Sequence, residues 1–448
     1  MVKYKKYEKY KDSGIECIGE IPNNWQIKKL KYMTRFIGSG KTPRGGAEIY
    51  SDEGVIFIRS QNVYDDGLRL DDVVYINEDI NNEMKSTMVK SNDVLLNITG
   101  ASIGRTSLVP NGFPKANVNQ HVCIIRPNLN NIIPSMLAKI ISSEFIKNQI
   151  LMNQNGSSRE GLNFSQIGNL DIILPKQQEE QARIAKFLDK KISEIDSLIA
   201  YKEKLITSLE EKRQAIITEA VTKGLNSNVS MKDSGVEWIG EIPEQWNLSK
   251  IKYQTNINIK TLSENTDEDY DIKYIDISSV NSNGEIINIE NYTFKNSPSR
   301  ARRILSKGDT IVSTVRTYLK AITWFEDVEE NLICSTGFTV LSPKNTIYPK
   351  YLFYLMRSTR YIDEIVRRST GVSYPAITSS EIGKIECLLP NMKEQIKIVK
   401  YIDEQIGEIS DLVESTVLQI EKLKEYRQSL ISEAVTGKID VRDYYKEA

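Results

Sequence analysis

Soft ligands are scarce in this chain. Its 448 residues hold one histidine, His121, and four cysteines, Cys17, Cys123, Cys334 and Cys387. No two cysteines stand in a CxxC spacing, so neither a zinc site nor a disulfide framework is written here. A single histidine with no cysteine cluster leaves metal and Ser–His–Asp chemistry little to work with. No run of about 18 apolar residues occurs, which excludes a membrane-spanning helix. The opening MVKYKKYEKYKDSG is basic but lacks the apolar stretch of a secretory signal. A reducing cytoplasm is the expected compartment. Cys17 is expected to pack, because the matching position of an internal repeat holds Trp238. Net charge is −1, which alone argues weakly against a nucleic-acid binder.

The segment IGSGKTP (37–43) invites a phosphate-loop reading. That motif needs a glycine five residues before Gly40, where this chain has Arg35, and Pro43 obstructs the helix that should follow. A loop whose Lys41, Thr42 and Arg44 meet nucleic-acid phosphates is the better expectation. No methyltransferase NPPY-like motif, helicase signature or nuclease signature occurs, and no carboxylate pair recurs at equivalent places. An enzyme active site is therefore not expected.

What is abundant is repetition. KDSGIECIGEIP (11–22) returns as KDSGVEWIGEIP (232–243), and 14 of 22 positions match through Tyr32 and Tyr253. Asp93–Pro127 aligns with Asp309–Pro343 at an offset of 216, and SQIGNLDIILP with SEIGKIECLLP at 215. From Glu180–Gln181 and Glu394–Gln395 the offset is 214. Such slow drift means two copies of one unit with small loop changes.

Each copy reads in two parts. The first mixes short apolar runs with Gly, Pro, Asn and Ser. VIFIRS, DVLLNI, HVCIIRP and LDIILP read as strands, while SMLAKIISSEFIKNQI and YLFYLMRSTRYIDEIV read as amphipathic helices. The second part is a long helix. Leu188, Ile192, Ile195, Ile199, Lys202, Ile206, Leu209, Arg213, Ile216 and Ala220 step by fours and threes, and Ile402 to Ala434 repeat the steps. That 3.5-residue period is a coiled-coil seam. The predicted fold is mixed α+β: two similar globular domains, 1–175 and 231–390, separated by an antiparallel two-helix coiled coil built from 176–230 and 391–448. The short linker after the first helix forbids a parallel pairing, the expected rods are about 50 Å long, and the chain ends should lie close together.

Charge is uneven. Residues 1–32 carry eight lysines against four acids. Residues 300–320 carry Arg300, Arg302, Arg303, Lys307, Arg316 and Lys320 against Asp309 alone. Basic stripes of this kind either bind DNA phosphates or form a solvated face. The copies also differ in their polar residues while keeping strand pattern. Asn97 and Thr99 face Ser313 and Val315, within NITG against STVR. Asn117, Asn119 and Gln120 face Ile333, Ser335 and Thr336. Gly156–Ser157–Ser158–Arg159 faces Gly371–Val372–Ser373–Tyr374. Side chains of these types read base edges. Candidate DNA contacts are therefore Lys41, Thr42, Arg44, Arg59, Gln61, Asn97, Thr99, Ser102, Arg105, Asn117, Asn119, Gln120, Ser157, Ser158 and Arg159 in the first copy. In the second they are Arg300, Arg302, Arg303, Thr314, Arg316, Tyr318, Lys320, Ser335, Thr336, Ser373 and Tyr374. His121, opposite Gly337, is either a strand-end polar residue or a base-edge contact. A coiled-coil scaffold and a self-sufficient methyltransferase stay open as competing classes.

SGKTPRGG, VIFIRSQNV, DVLLNITGASIGR, NVNQHV, NGSSREGLNFSQIGNLDIILP and EEQARIAKFLDKKI together resemble the specificity subunit of type I restriction–modification enzymes, with LPNMKEQIKIVKYID the clearest echo in the second copy. The resemblance implies two target-recognition domains, each reading half of a bipartite site on double-stranded DNA. It implies helices that set the spacer and dock two modification subunits, which carry S-adenosylmethionine. Restriction (motor-nuclease) subunits complete the complex, and this chain binds no cofactor or metal and catalyses nothing. The second copy departs from the pattern at RTYLKA and STG.

Overall fold

The computed structural model describes residues 4–43, 45–154, 161–372 and 374–444, with only the backbone at Ala47. The chain divides into two compact units, Met1–Tyr201 with Leu418–Ala448, and Lys202–Val417. Each of two helices of 46 and 44 residues, Gln178–Lys223 and Met392–Val435, contributes residues to both units. At 1.5 Å per residue they measure about 69 and 66 Å, longer than expected because they start two or three residues after Pro175 and Pro390.

The duplicated KDSG motif owes its spelling to turn chemistry. Asp12 Oδ1 accepts the Gly14 N–H at 3.0 Å and Ser13 Oγ accepts the Ile15 N–H at 3.1 Å. Asp233 and Ser234 do the same for Gly235 and Val236. Gly14 and Gly235 sit at φ +69° and +71°, conformations that a Cβ disfavours. Downstream, Trp25 and Trp246 are fully buried, and each indole N–H donates to the glutamate that opens a long helix, Glu180 at 2.9 Å and Glu394 at 3.0 Å. The next residues, Gln181 and Gln395, accept the N–H of Ile133 and Tyr348 and donate to the carbonyls of Pro175 and Pro390. The Glu–Gln pair thus clamps each helix start onto its globular domain.

Both domains contain the same sheets. Thr106–Leu108, Val94–Asn97, Val122–Pro127 and Thr34–Ser39 form one antiparallel sheet in that order, and Ile322–Trp324, Thr310–Ser313, Phe338–Pro343 and Thr255–Ile257 repeat it. A second sheet joins Ala116–Val118 to Val55–Ile58 in parallel and then to Val74–Ile76. Its counterpart is Leu332–Ser335, Asp271–Ile275 and Glu290–Thr293, with Ala301–Ile304 added at one edge. All four residues of VIFI are buried, as continuous apolar runs in parallel pairings usually are. One ion pair differs. Asp93, buried, holds Arg126 by two bonds of 2.7 Å. Its counterpart Asp309 is equally buried, but Ser342 stands where Arg126 was, and burial raises the Asp309 carboxyl above the ordinary carboxylate range.

Each stretch expected as one amphipathic helix is two. Pro134–Ser142 and Glu144–Gln154 break at Ser143, and Pro349–Arg357 and Thr359–Arg368 break at Ser358. Both serines adopt extended backbone, and their hydroxyls donate to the carbonyls of Ile140 and Leu355. A side chain that bonds back in this way competes with the helical ladder.

Within the first unit Ile192 and Ile431 line one cavity, and four residues on, Asp196 meets Arg427 at 2.5 Å. Within the second, Arg213 meets Ser410 at 2.5 Å, while Gly224 lies against Glu394. In each unit the two helices are antiparallel, and every expected seam position is buried or half-buried. After each helix comes a left-handed glycine, Gly224 against Pro243 and Trp246, Gly437 against Pro22 and Trp25. Lys5 bridges to Asp440, so the first and last described segments of the chain pair. Cys17 is exposed rather than packed. Trp238 stacks edge-on against Tyr361 at 5.0 Å, and the first copy has Ile146 where Tyr361 stands.

Candidate nucleic-acid interface

In the first domain the loops gather at the ends of Val94–Asn97 and Ala116–Val118. Gly40 passes so close to strand Ala116–Val118 that a Cβ would lie 1.6 Å from the Val118 carbonyl oxygen. This contact, not phosphate wrapping, explains the glycine of SGKT, and it sets exposed Lys41 and Thr42 beside Asn119–Gln120–His121. Thr99 Oγ1 is 2.5 Å from His121 Nδ1, and Gln120 Nε2 donates to His121 Nε2 at 2.8 Å. Thr99, Gln120 and His121 are thus a linked, half-buried strand-end group. Arg59 donates to the Asp72 carbonyl at 3.0 Å, and Gln61 Nε2 to Asp72 Oδ2 at 2.7 Å.

Asn97, expected to face DNA, is instead fully buried. Its amide donates to the Ser60 carbonyl at 2.8 Å and to Ser102 Oγ at 3.1 Å, so it pins two candidate loops together from beneath. Asn117 is likewise internal, donating to Asn81 and Met84 and accepting from Thr87. Asn119 turns inward to accept the His121 N–H. The Asn97 and Asn117 N–H groups are spent on protein, and the partnerless Asn97 Oδ1 is itself buried, so neither amide can also bond a base. Arg105 lies 4.7 Å from the ring centre of Tyr64, and Arg69 lies 3.7 Å from the same ring. Neither Tyr64 nor Arg69 was singled out from the sequence; the basic and aromatic residues interleaved through RSQNVYDDGLR were the available signal.

In the second domain the basic cluster divides. Arg302 lies over Phe294 at 4.8 Å and donates to the Ala301 carbonyl, Arg303 donates to Thr261, and Lys307 pairs with Asp327. Arg300, Arg316 and Lys320 are exposed, and no side-chain partner beyond a ring contact is recorded for them among the described residues. Thr336 is exposed, and its N–H donates to the Arg300 carbonyl, which puts those two together. Two expected contacts are corrected: Thr314 is buried and donates to the Gly337 carbonyl at 2.7 Å, and Ser335 is buried and accepts the Gly337 N–H. Tyr318 and Tyr374 are exposed rings, and Arg316 lies 4.9 Å from the centre of Tyr374. Arg44, Ser157, Ser158, Arg159 and Ser373 lie outside the described residues. In the amino-terminal basic segment, Lys11 donates to the Trp25 carbonyl, Lys29 pairs with Asp171 and Lys31 donates to Asn169. Those three lysines serve the domain's own architecture.

Two like scaffolds thus present unlike exposed cations, amides and rings at matching strand ends, and among the described residues no His/Cys/Asp/Glu group could hold a metal. That defines a twofold recognition protein. The chain belongs to the type I restriction modification DNA specificity domain family, whose model matches residues 22–211 and 243–422. It is 23% identical over 99% of both chains to the putative type I restriction enzyme MjaX specificity subunit of Methanocaldococcus jannaschii, and 24% identical to the MjaVIII specificity subunit of the same organism, over 94% of this chain and 95% of that one. In fold it is similar to a chain of a solved type I restriction–modification system, with a TM-score of 0.69, 16% identity, and coverage of 94% of this chain and 99% of that one. The HsdS subunit from Thermoanaerobacter tengcongensis matches with a TM-score of 0.52, 16% identity, and coverage of 94% and 98%. No helix among the described residues is long and apolar enough to cross a membrane.

Proposed function

We propose that this chain is the non-catalytic specificity subunit of a type I restriction–modification complex. The observation that carries the reading is one fold written twice, with different exposed residues at the same strand ends. Residues 1–175 and 231–390 act as target-recognition domains, each reading one half of a bipartite site on double-stranded DNA. The long helices set the spacer between the halves and dock two modification subunits. Those subunits hold S-adenosylmethionine and methylate, restriction subunits complete the assembly, and the complex works in the cytoplasm.

Burial narrows the contact set. Lys41, Thr42, Arg59, Gln61, Thr99, Ser102, Arg105 and Gln120 remain for the first half-site, and Arg300, Arg302, Arg303, Arg316, Tyr318, Lys320, Thr336 and Tyr374 for the second. Cations among them supply salt-sensitive phosphate affinity, while amides and guanidinium groups supply base discrimination.

Replacing residues 1–175 with the matching domain of another family member, in the assembled complex, tests the reading. Sequencing of methylated sites should show one half of the site changed and the other retained. Change in both halves, or in neither, refutes it. A steep fall of duplex affinity with salt separates a DNA reader from a protein scaffold, and absence of S-adenosylmethionine binding to the isolated chain separates it from a methyltransferase.

A further inference from the structure

Two backbone angles single out a pair of cations in the second domain. Where the first domain turns out of strand Val94–Asn97, Gly100 and Gly104 stand at φ +71° and +86°. The second domain follows the same path 216 residues later, with Arg316 at φ +51° and Lys320 at +56°. Left-handed backbone is nearly free for glycine and costly for any residue with a Cβ. Strain kept where the sister copy uses glycine points to side chains retained for what they touch.

Neither side chain supports the fold. Both are exposed, and no ion pair or side-chain hydrogen bond is recorded for either among the described residues. The bonds that shape this corner are main-chain ones. The Arg316 N–H donates to the Pro375 carbonyl at 2.9 Å, the Ile377 N–H donates to the Thr314 carbonyl at 2.8 Å, and Val315 bridges Ala376. These bonds carry the loop bearing Tyr374 up against the turn bearing Arg316. The guanidinium lies 4.9 Å from the ring centre, and that ring is 65% exposed. An arginine laid on an aromatic face loses rotamer freedom while its N–H edge stays available. The result is a pre-set two-donor fork, and guanine offers the matching acceptors O6 and N7 in the major groove. In the first domain Tyr64 is shared between Arg105 and Arg69, and Arg69 also pairs with Asp66 at 3.3 Å, so the two domains hold their arginines differently.

We infer that Arg316, held against Tyr374, reads a guanine in the half-site taken by the second domain, and that Lys320 fixes the register there through a phosphate. This rests on the DNA-reading function proposed above.

The test uses the assembled modification complex carrying wild-type chain, R316G, R316K or K320G. Each glycine variant restores the residue type that the first domain uses at that backbone position, so folding is not at risk; hydrogen exchange no faster than wild type on peptides covering Thr310–Ser313 and Phe338–Pro343 verifies this. Sequencing of methylated sites should show R316G accepting other bases at one guanine of one half-site, with discrimination there reduced about tenfold or more. R316K should relax the same position, because an ammonium keeps the charge and loses the fork. K320G should weaken duplex binding on all sequences and reduce the salt slope by about one. Unchanged guanine preference in R316G overturns the inference alone, as does full retention in R316K, which would make Arg316 a phosphate contact. A wild-type complex that modifies no bipartite sequence overturns the broader function and this inference with it.

Discussion

Asn substitution should destabilise at Asp93 and not at Asp309, although the two are the same residue of the repeat. Asp93 and Asp309 each accept a backbone N–H, from Lys90 and Ser306, at 2.8 Å. Asp93 in addition holds Arg126 by two bonds of 2.7 Å, with the carboxylate side chain 1% exposed and the arginine side chain 21% exposed. Asp93→Asn leaves a partly buried guanidinium without its counter-charge. Fully buried pairs cost about 3–5 kcal/mol when broken this way, and partial access of water to Arg126 lowers the figure to about 2–3 kcal/mol. Asp309 has no such arginine, and burial raises its carboxyl. A folded-state pKa above the unfolded one means that Asp309 favours the folded state at acid pH and that this contribution disappears as pH rises through the raised value. Asp309→Asn keeps an acceptor for Ser306 and removes the buried charge. It should leave the second unit as stable or more stable at neutral pH, with an advantage that shrinks on acidification. Because two units need not unfold together, global melting is a poor assay. Hydrogen exchange on peptides covering Val122–Pro127 and Phe338–Pro343 reads each unit separately. Equal destabilisation by the two substitutions, or an Asp309→Asn advantage that grows toward acid pH, would refute the reasoning.

The helix clamps supply a second contrast. Glu180 accepts from Trp25, Tyr7 and Asn24, whereas Trp246 is the donor recorded for Glu394. Glu180→Ala strands two buried donors and should cost about 3–5 kcal/mol; Glu394→Ala strands one and should cost about 1–3 kcal/mol, again by exchange in each unit. Thiol labelling under native conditions should reach Cys17 alone, since burial pushes the Cys123 and Cys387 thiols up to about 12 and raises Cys334 as well; mass spectrometry showing adducts at the other three would contradict the burial. If the helices set the spacer, four residues added to both of them, after Tyr201 and after Val417, should lengthen it. The added rise is about 6 Å, nearly two base-pair steps, and an unchanged spacer in the methylated sites would reject that role.

Reading the chain in one dimension was enough for the duplication, the four strands Val55–Ile58, Val94–Asn97, Val122–Pro127 and Asp171–Pro175, and the two helical seams. Each of these is a local period or a match between copies, and both survive in the order of residues. The repeated Asp–Ser–Gly turns, tryptophans and Glu–Gln pairs were visible too, although their partnership across about 150 residues was not. The candidate site was legible by residue type alone. Asn97, Asn117 and Thr314 have the chemistry of base readers, but their partners Ser60, Asn81, Thr87 and Gly337 come from other segments and turn them inward. A polar side chain carries no local mark of whether it will bond protein or solvent. The same holds for the left-handed turn at Arg316 and for the ring beneath its guanidinium, which packing alone brings from 58 residues away. Sequence decided that there are two recognition scaffolds on long helices. Tertiary structure decided which of their polar groups stay outside, because hydrogen-bond satisfaction depends on neighbours that only folding brings together.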